Sequence, residues 1–398
     1  MEEASRIGAR SFAVIKGFNF FIYGAIAIYS SFFPLYLKSI GVSSLQIGLL
    51  LAGEPFISIL ANPFWGYLSD RWNHTKRVLL LLLIGNLVVM QSVFLQSSYT
   101  LLFALMLAYF FFQSPLFSQS NSLILDAIEH TGKRFGEFRL WGSLGWALMA
   151  AAAGPVLSLL GIGRFWVMYS AIVLISIGIA LALPRGHVRS KESKLPGGYA
   201  AIFANKSFAA FLLIGVLISI PNGMNTTFMP IYMSELGGKE GLIGLSAFLT
   251  SIFEIPVFLL FDRLLPKNRR TMILCLGAVS LLYALRWLLM SLASSPYEVV
   301  CIQILNSITF GGYYYIGTQL TTMLIPRQYR SSGQALYALS WGGLSGIAAG
   351  VLGGWIFQNL GAVAMYRLGT LLAVLGAACF AAMFVWLRRT GIRTEAEE

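Results

Sequence analysis

The residues best able to do chemistry in this chain are ionisable side chains that lie within long apolar stretches. They are Lys16, Glu54, Asp126, Arg139, Glu254, Arg286 and Arg367. A charged side chain at the centre of a bilayer costs at least about 2.5–3.5 kcal/mol on insertion scales, so such residues mark functional sites. Carboxylates and guanidinium groups in this setting bind polar solutes or exchange protons. The pattern therefore predicts a polar binding site inside a membrane.

The apolar stretches that must position these residues recur along the whole chain. Hydrophobic residues make up 57% of the 398 residues and charged residues 11%, against about 45–50% and about 25% in soluble domains. A run of about 20 apolar residues crosses a bilayer as a helix. Twelve such segments are predicted, numbered here 1 to 12 in chain order: 12–37, 44–69, 78–96, 99–126, 136–160, 163–184, 207–233, 241–262, 272–294, 297–324, 330–358 and 362–387. The predicted fold class is an all-α integral membrane protein.

The chain also repeats itself at about half its length. Pro34 of segment 1 recurs as Pro230 of segment 7, an offset of 196 residues, and Trp141 recurs as Trp341, an offset of 200. Membrane proteins built from two parallel repeats are typical of transporters, with a site at the interface of the repeats. The repeat predicts an N-terminal six-helix bundle over 1–184, a polar cytoplasmic linker over 185–206 and a C-terminal six-helix bundle over 207–398.

The net charge of +12 could indicate nucleic-acid binding, but the placement of the basic residues argues against it. Lys and Arg concentrate in alternate loops, and the other loops contain little beyond Lys38, Arg164 and Lys239. Excess positive charge marks the cytoplasmic side of a membrane protein. The pattern predicts a multi-pass protein of the inner (plasma) membrane with both termini cytoplasmic, which contacts the lipid bilayer and no nucleic acid.

Cysteine, histidine and glycine patterns point to no metal and no cofactor. The three cysteines lie inside apolar segments, and the three histidines lie in or beside cytoplasmic loops, without the spacing of metal ligands. The sequence contains no Gly-x-x-x-x-Gly-Lys phosphate-binding loop, so direct use of ATP is not expected.

An acid–base pair follows the second segment of each half. The first is Asp70-Arg71, in the pattern Gly66-x-x-x-Asp70-Arg71, and the second is Asp262-Arg263. These loops resemble the signature loop of the major facilitator superfamily, and the resemblance extends over the full chain. It implies twelve transmembrane helices in two six-helix parallel repeats, with a gating role for both pairs. An acid at a helix end pairs with a cation in one conformation and releases it in another.

Segment 5 contains the most specific motif, Gly136, Arg139, Gly142, Gly145 and Trp146. Its spacing resembles that of the symporter branch of the superfamily that includes lactose permease and the phenylpropionic acid transporters. The resemblance implies that Arg139 binds a polar group of the substrate, since its planar fork matches two oxygens at once. It also implies that Trp146 stacks on a substrate ring. The alternative is an arginine whose head group reaches the cytoplasmic interface.

The branch usually places a carboxylate on segment 4 as the partner of this arginine. Here the matching position is Asn121, which binds by hydrogen bonds but carries no proton. The nearest carboxylate is Asp126, about 140° further round the helix and about 7.5 Å along it. Asp126 either replaces the missing partner of Arg139 or caps segment 4.

The second half resembles the same branch at four positions. Glu254 of segment 8 and Arg286 of segment 9 match its proton-coupling pair, although a static ion pair is the alternative. Gln303 and Asn306 of segment 10 are predicted to contact the substrate. The branch usually has a histidine at the position of Asn306, which weakens any transfer of a detailed proton pathway.

Two further predictions rest on position alone. Glu54, in the middle of segment 2, is a third candidate for proton coupling, with Lys16 as a possible ion-pair partner. The polar stretch from Pro221 to Thr227 predicts a break in segment 7, where Asn225 would face a cavity. A kink satisfied by neighbouring helices is the alternative.

Together these features predict a secondary active transporter and not an enzyme. The leading interpretation is a proton-coupled symporter, functional as a monomer, that imports a small ring-containing solute by alternating access. The resemblance implies a sugar, a nucleoside or an aromatic acid. One alternative is a proton-driven exporter of drugs or metabolites with the same fold. The other, from a different class, is a membrane sensor or an integral membrane enzyme.

Overall fold

The computed structural model describes residues 9–72, 74–128, 131, 133–184, 205–266, 268–326 and 329–389. Within this part of the chain the predicted segments are helices. Segments 1 to 6 are Ala9–Ser39, Ser44–Leu51 with Gly53–Trp72, Thr75–Phe94, Tyr99–Gln113 with Pro115–Ile128, Phe135–Leu160, and Phe165–Leu181. Segments 7 to 10 are Lys206–Glu235, Glu240–Leu264, Arg269–Leu292 and Pro296–Leu324. Segments 11 and 12 comprise Arg330–Ala338, a π-helix at Leu339–Leu344, and Ser345–Arg389. Most of the predicted linker, 185–204, lies outside the described residues.

The last helical stretch is long enough for two membrane crossings. Eleven candidate spans occur in the described part of the chain, and the last, Ser332–Arg388, has 57 residues. A straight helix of that length would measure about 85 Å, whereas the hydrocarbon core is about 30 Å thick. Gly361 interrupts it with φ 82° and ψ 172°, which separates segment 11 from segment 12 and gives the twelve predicted segments.

The sequence repeat is visible in the backbone. Gly41 and Gly237 follow segments 1 and 7 with φ of 90° and 84°. Gly161 and Gly361 follow segments 5 and 11, each with φ of 82°. The members of each pair are 196 and 200 residues apart, the offsets found in the sequence. Positive φ is accessible to glycine because it lacks a Cβ, so the same loop geometry has been kept in both halves.

The glycines of the segment 5 motif bring segments 1 and 5 into close contact. A Cβ on Gly145 would overlap the carbonyl oxygen of Phe20, and a Cβ on Gly142 would lie 2.9 Å from Cδ2 of Tyr23. Small residues allow this approach of two membrane helices. Gly136 is different, because its Cβ position is open. The contact fixes the position of Arg139 relative to segment 1.

Segment 7 corrects one prediction. The helix Lys206–Glu235 runs through Pro221 without the predicted break. Gly223 lies against Ala349 of segment 11, so neighbouring helices pack closely around this stretch. Asn225 is buried, with only 6% of its surface exposed. The predicted break is therefore wrong, although its polar residue does reach the interior.

The chain packs into two compact units. The first consists of Met1–Glu192 with Pro230–Ile252, and the second of Ser193–Met229 with Phe253–Glu398. In the first, Ser158 at the end of segment 5 accepts a hydrogen bond from the backbone N–H of Gly241, 2.9 Å away. Each unit contains its own cluster of buried polar side chains, and the two clusters are described separately below.

Candidate functional site

Arg139 lies between two aromatic rings of the first unit. Its Cζ is 4.3 Å from the ring centroid of Tyr23 on segment 1 and 5.1 Å from that of Phe117 on segment 4. The rings themselves are 5.4 Å apart. Cation–π attraction of this kind orients a guanidinium group without using its N–H donors. Nη1 of Arg139 is buried and has no hydrogen-bond acceptor among the described residues, so this donor is available for a ligand.

The residues predicted to accompany Arg139 are brought together only in part. Asn121 lies one helical turn beyond Phe117, on the same face of segment 4. Its Oδ1 is also buried without a partner in the described part of the chain. Asp126 is half-buried on segment 4. Trp146 is half-buried on segment 5.

A chain of buried hydrogen bonds lies elsewhere in the first unit. Asn86 Nδ2 donates to Gln113 Oε1 over 3.0 Å, and the hydroxyl of Tyr169 donates to Asn86 Oδ1 over 2.6 Å. The hydroxyls of Tyr109 and Tyr169 are 2.9 Å apart. A tyrosine hydroxyl has one proton, and Tyr169 donates its proton to Asn86. In the hydrogen bond between the two hydroxyls, Tyr109 must therefore be the donor and Tyr169 the acceptor. The chain therefore runs in one direction, from Tyr109 to Gln113.

Glu54 is within electrostatic range of a tyrosine that packs on the first member of this chain. The ring of Tyr29 packs on that of Tyr109 with centroids 5.1 Å apart, and the charge of Glu54 acts on Tyr29. The Tyr29 hydroxyl is buried without a hydrogen-bond partner among the described residues. Lys16 was considered from the sequence as an ion-pair partner of Glu54. In the structure, Nζ of Lys16 instead lies 5.3 Å from the ring centroid of Phe138. Within the described ranges Glu54 forms no ion pair.

Arg286 organises the polar cluster of the second unit. It is 0% exposed, and its guanidinium lies 4.4 Å from the ring centroid of Trp287. Nη1 donates to Asn306 Oδ1 over 2.5 Å and to Thr309 Oγ1 over 3.3 Å, and Nη2 donates to Gln303 Oε1 over 2.5 Å. Buried charges require such compensation. The side chain thus ties segment 9 to segment 10.

The cluster continues to segments 7 and 12. Gln303 Nε2 donates to Asn225 Oδ1 over 2.9 Å, and the hydroxyl of Tyr366 donates to the same oxygen over 3.2 Å. Glu254 stands against segment 10, because a Cβ on Gly311 would lie 3.7 Å from its Cγ. The Glu254 carboxylate interacts electrostatically with Arg286 and with Tyr283. The structure therefore brings together Asn225, Gln303, Asn306, Arg286 and Glu254, five of the predicted residues.

The predicted gating residues lie at the ends of segments 2 and 8. Asp70, Arg71, Asp262 and Arg263 are all exposed. Asp262 accepts a hydrogen bond from the hydroxyl of Tyr315, 2.8 Å away. Basic residues near these loops cap neighbouring helices: Lys76 Nζ donates to the carbonyl of Leu181 over 2.6 Å, and Arg269 Nη2 to that of Met323 over 2.9 Å.

Several important side chains were missed by the sequence predictions. Tyr23, Phe117, Tyr29, Tyr169 and Tyr366 were not predicted individually, because tyrosines and phenylalanines are common in membrane helices. Asn86 and Gln113 gave the clearest available signal, since amide side chains in apolar segments form hydrogen bonds with neighbouring helices.

The described residues contain no group of three or more His, Cys, Asp or Glu that could bind a metal.

Within the described residues, helices in place of all twelve predicted segments, together with two sequence repeats and a buried polar cluster in each unit, define a membrane transporter. The chain belongs to the MFS_1-like family, whose model matches residues 12–368. The predicted superfamily and fold are therefore confirmed, and the protein is a transporter and not an enzyme.

Relatives extend over almost the whole chain. The uncharacterized transporter YwbF of Bacillus subtilis (strain 168) is 26% identical over 370 residues, covering 92% of each chain. The maltose permease of Geobacillus stearothermophilus is 26% identical over 366 residues, covering 90% of each chain. The crystal structure of the nucleoside transporter NupG superposes with a TM-score of 0.80 at 16% identity, over 94% of this chain and 98% of that chain. The structural likeness shows the fold alone.

Proposed function

We propose that the protein is a proton-coupled symporter that imports a small ring-containing organic solute by alternating access. One observation supports this most directly: Arg139 is held between Tyr23 and Phe117 with its Nη1 buried and without an acceptor among the described residues. A buried donor without a partner is unfavourable by about 1–3 kcal/mol. A solute oxygen at this position removes that penalty, and the adjacent rings and Trp146 offer faces on which a solute ring stacks.

The solute is a sugar, a nucleoside or an aromatic acid. Relatives carry the names maltose permease, putative nucleoside transporter and probable 3-phenylpropionic acid transporter. Asn121 and Asp126 on segment 4 are proposed to act with Arg139. Asn225, Gln303 and Asn306, which lie in the polar cluster of the second unit, are separately proposed as hydrogen-bonding contacts for solute. Arg139 and the amides suit hydroxyl or carboxylate oxygens, and the Asp126 carboxylate suits hydroxyl groups.

Coupling to protons is assigned to the intramembrane carboxylates. Glu254 and Glu54 are within electrostatic range of Arg286 and Tyr29, respectively. A carboxyl group that exchanges its proton as helices move couples the proton gradient to transport. The Asp70-Arg71 and Asp262-Arg263 pairs are proposed to control the conformational change. The protein acts as a monomer in the plasma membrane, with both termini cytoplasmic.

The test is uptake by the purified protein in liposomes. Labelled maltose, uridine and 3-phenylpropionate serve as probes, with an imposed inward proton gradient. We expect one of the three to accumulate, and a protonophore to abolish the accumulation. Accumulation that persists without the gradient would contradict proton coupling. Exit of a preloaded probe against its gradient, driven by proton entry, would identify an exporter.

A further inference from the structure

A cavity opens on the surface of the first unit where segment 2 ends and segment 3 begins. Its volume is about 470 Å³, and it is lined by Trp72, Arg77, Leu80 and Leu81. Trp72 is the last residue of the helix in segment 2, and the other three lie in the first two turns of segment 3. The side chains of Trp72 and Leu81 are 44% and 42% exposed, so the cavity is accessible from outside the protein.

The lining changes from charged to apolar along segment 3. Arg77 lies at the end of the basic loop, whereas Leu80 and Leu81 lie about one helical turn further, within the apolar run that begins at Val78. Residues three and four apart share one face of a helix, so the cation and the two leucines border the same space. Tryptophan is common at the interface between membrane and water. The cavity therefore has a positive charge at its loop end and hydrocarbon groups toward the membrane.

The two adjacent basic residues of this loop make different contacts. Lys76 Nζ donates to the carbonyl of Leu181 over 2.6 Å, so its charge is used at the end of segment 6. Arg77 is exposed, and its guanidinium forms no hydrogen bond or ion pair with the other described residues. Guanidinium groups bind two phosphate oxygens at once. Arg77 is therefore available to an anionic ligand at the edge of an apolar cavity.

The second half of the chain has the same basic pair. Arg269 and Arg270 correspond to Lys76 and Arg77 at an offset of 193 residues. Arg269 also caps a neighbouring helix, since its Nη2 donates to the carbonyl of Met323 over 2.9 Å. Arg270, like Arg77, is exposed. In each pair the first residue is structural and the second is exposed.

The residues that surround the exposed arginine differ between the halves. At the same offset Trp72 is replaced by Leu265 and Leu80 by Ile273. Ile273 is 0% exposed, whereas Leu80 lines the cavity. Arg270 thus has the charge of Arg77 without the tryptophan and without the accessible leucine, which makes it an internal control.

We infer that this cavity binds an anionic phospholipid of the bilayer, with the phosphate at Arg77 and an acyl chain at Leu80 and Leu81. Basic residues near an anionic membrane surface gain about 1 kcal/mol each, and the cavity adds apolar contact to that attraction. A free phosphate would leave the leucines and Trp72 uncovered, whereas a lipid buries them. The inference concerns a surface separate from the residues around Arg139 and holds whichever solute is transported.

The test is lipid binding by the purified full-length protein in a neutral detergent. Native mass spectrometry measures the fraction of protein with one dioleoyl phosphatidylglycerol bound, and dioleoyl phosphatidylcholine is titrated in parallel. We expect the anionic lipid to bind at least about tenfold more tightly, and inorganic phosphate to displace no more of it than sodium chloride of equal ionic strength. Equal affinities for the two lipids, or specific displacement by phosphate, would overturn the inference.

Two glutamine variants separate a site from general attraction by the basic loops. Arg77→Gln should weaken phosphatidylglycerol binding about tenfold, the effect of losing a charge-assisted hydrogen bond. Arg270→Gln removes the same charge from the corresponding loop and should bind like the wild type. An equal loss in the two variants would mean that the lipid is attracted by net charge alone, which would refute the site.

Leu81→Trp tests the cavity where Arg77→Gln folds poorly. The larger side chain fills part of the cavity at an exposed position and keeps Arg77, so phosphatidylglycerol binding should weaken at unchanged charge. Leu274→Trp is the matched control, since Leu274 is the corresponding residue of segment 9 and is 51% exposed. Unfolding midpoints show whether the variants are folded. Wild-type binding by Leu81→Trp would exclude the cavity as the lipid site.

Discussion

At the scale of residues, the two membrane arginines differ in how their donors are satisfied. Arg139 is held by aromatic faces and keeps a buried N–H without an acceptor among the described residues. Arg286 is fully buried and donates to three side chains of segment 10. Nε of Arg286 is buried without an acceptor among the described residues, but both of its terminal nitrogens are engaged, which suits a structural role. The terminal donor that Arg139 leaves unused suits ligand binding. Arg139 is therefore the stronger candidate for contact with solute.

Arg139→Lys should reduce uptake at least about tenfold, because an ammonium group does not reproduce the two-pronged donor geometry of guanidinium. The lysine keeps a cation near Tyr23 and Phe117, so folding should be preserved. Initial uptake rates in liposomes and unfolding midpoints measure the two effects. Arg367→Lys is the matched control, since Arg367 is exposed on segment 12. Equal uptake by both variants would remove Arg139 from the site.

Arg286→Leu should lower the free energy of unfolding by roughly 3 kcal/mol, because it leaves buried acceptors on Gln303, Asn306 and Thr309 without donors. Thermal unfolding of the purified protein in detergent measures the loss. Arg367→Leu is the matched control: it also replaces arginine by leucine, but at an exposed position, and should change the unfolding midpoint little. A similar midpoint in the two variants would mean that Arg286 does not hold segment 10 in place.

The sequence predicted the polar members of the cluster in the second unit better than the aromatic residues around Arg139. Five predicted residues lie together in that cluster: Arg286, Glu254, Gln303, Asn306 and Asn225. They do so because polar side chains in apolar helices turn away from lipid and pair with one another in the interior. The rings around Arg139 were missed, since nothing in the residue types distinguishes Tyr23 and Phe117 from ordinary packing residues. Their role depends on which helices are neighbours, and that information is in the fold.

At the scale of helices, the contact between segments 1 and 5 controls the position of Arg139. Segment 5 presents Gly142 and Gly145 to segment 1, where the ring of Tyr23 and the backbone at Phe20 occupy the space of the missing side chains. The motif glycines are therefore packing residues that set the distance between Arg139 and Tyr23. The sequence motif indicated the arginine, and the structure explains the glycines that accompany it.

Gly145→Ala should destabilise the protein by about 1–3 kcal/mol, because its methyl group would overlap the Phe20 carbonyl and separate the helices. Gly136→Ala is the matched control from the same motif: its Cβ position is open, and alanine favours a helix over glycine by about 1 kcal/mol. Its midpoint should stay equal or rise. The prediction fails if the two alanine variants unfold at the same temperature.

Helix boundaries were predictable to within a few residues, but local irregularities were not. Pro221 suggested a break in segment 7, yet the helix continues through it, since tight neighbours around Gly223 hold the helix in place. Segment 11 contains a π-helix at Leu339–Leu344, although its counterpart in segment 5 is regular α-helix. Both outcomes depend on packing between segments, which periodicity and composition do not contain.

At the scale of the whole molecule, the two halves share their loops and differ in their charges. The positive-φ glycines recur at the repeat offsets, and polar clusters occur on corresponding helices. Arg286 has a neutral counterpart in Asn86, and Arg139 has none. The repeat thus keeps the backbone framework, while the charges of Arg139 and Arg286 are not duplicated.

The side of the membrane on which the C-terminal end lies depends on Gly361. A break at Gly361 divides the last helical stretch into two crossings, so the C-terminal end lies on the same side of the membrane as the N-terminal end. Basic loops predict that this side is the cytoplasm. After Cys275, Cys301 and Cys379 are replaced by serine, single cysteines at Arg164 and Lys239 should react with a membrane-impermeant maleimide in intact cells. Cysteines at Lys133 and Arg388 should react only after permeabilisation. Labelling of the Arg388 site in intact cells, with Lys133 protected, would mean an odd number of crossings and would contradict a turn at Gly361. The reverse labelling of all four sites would keep the twelve crossings and invert the orientation that the charge pattern predicts.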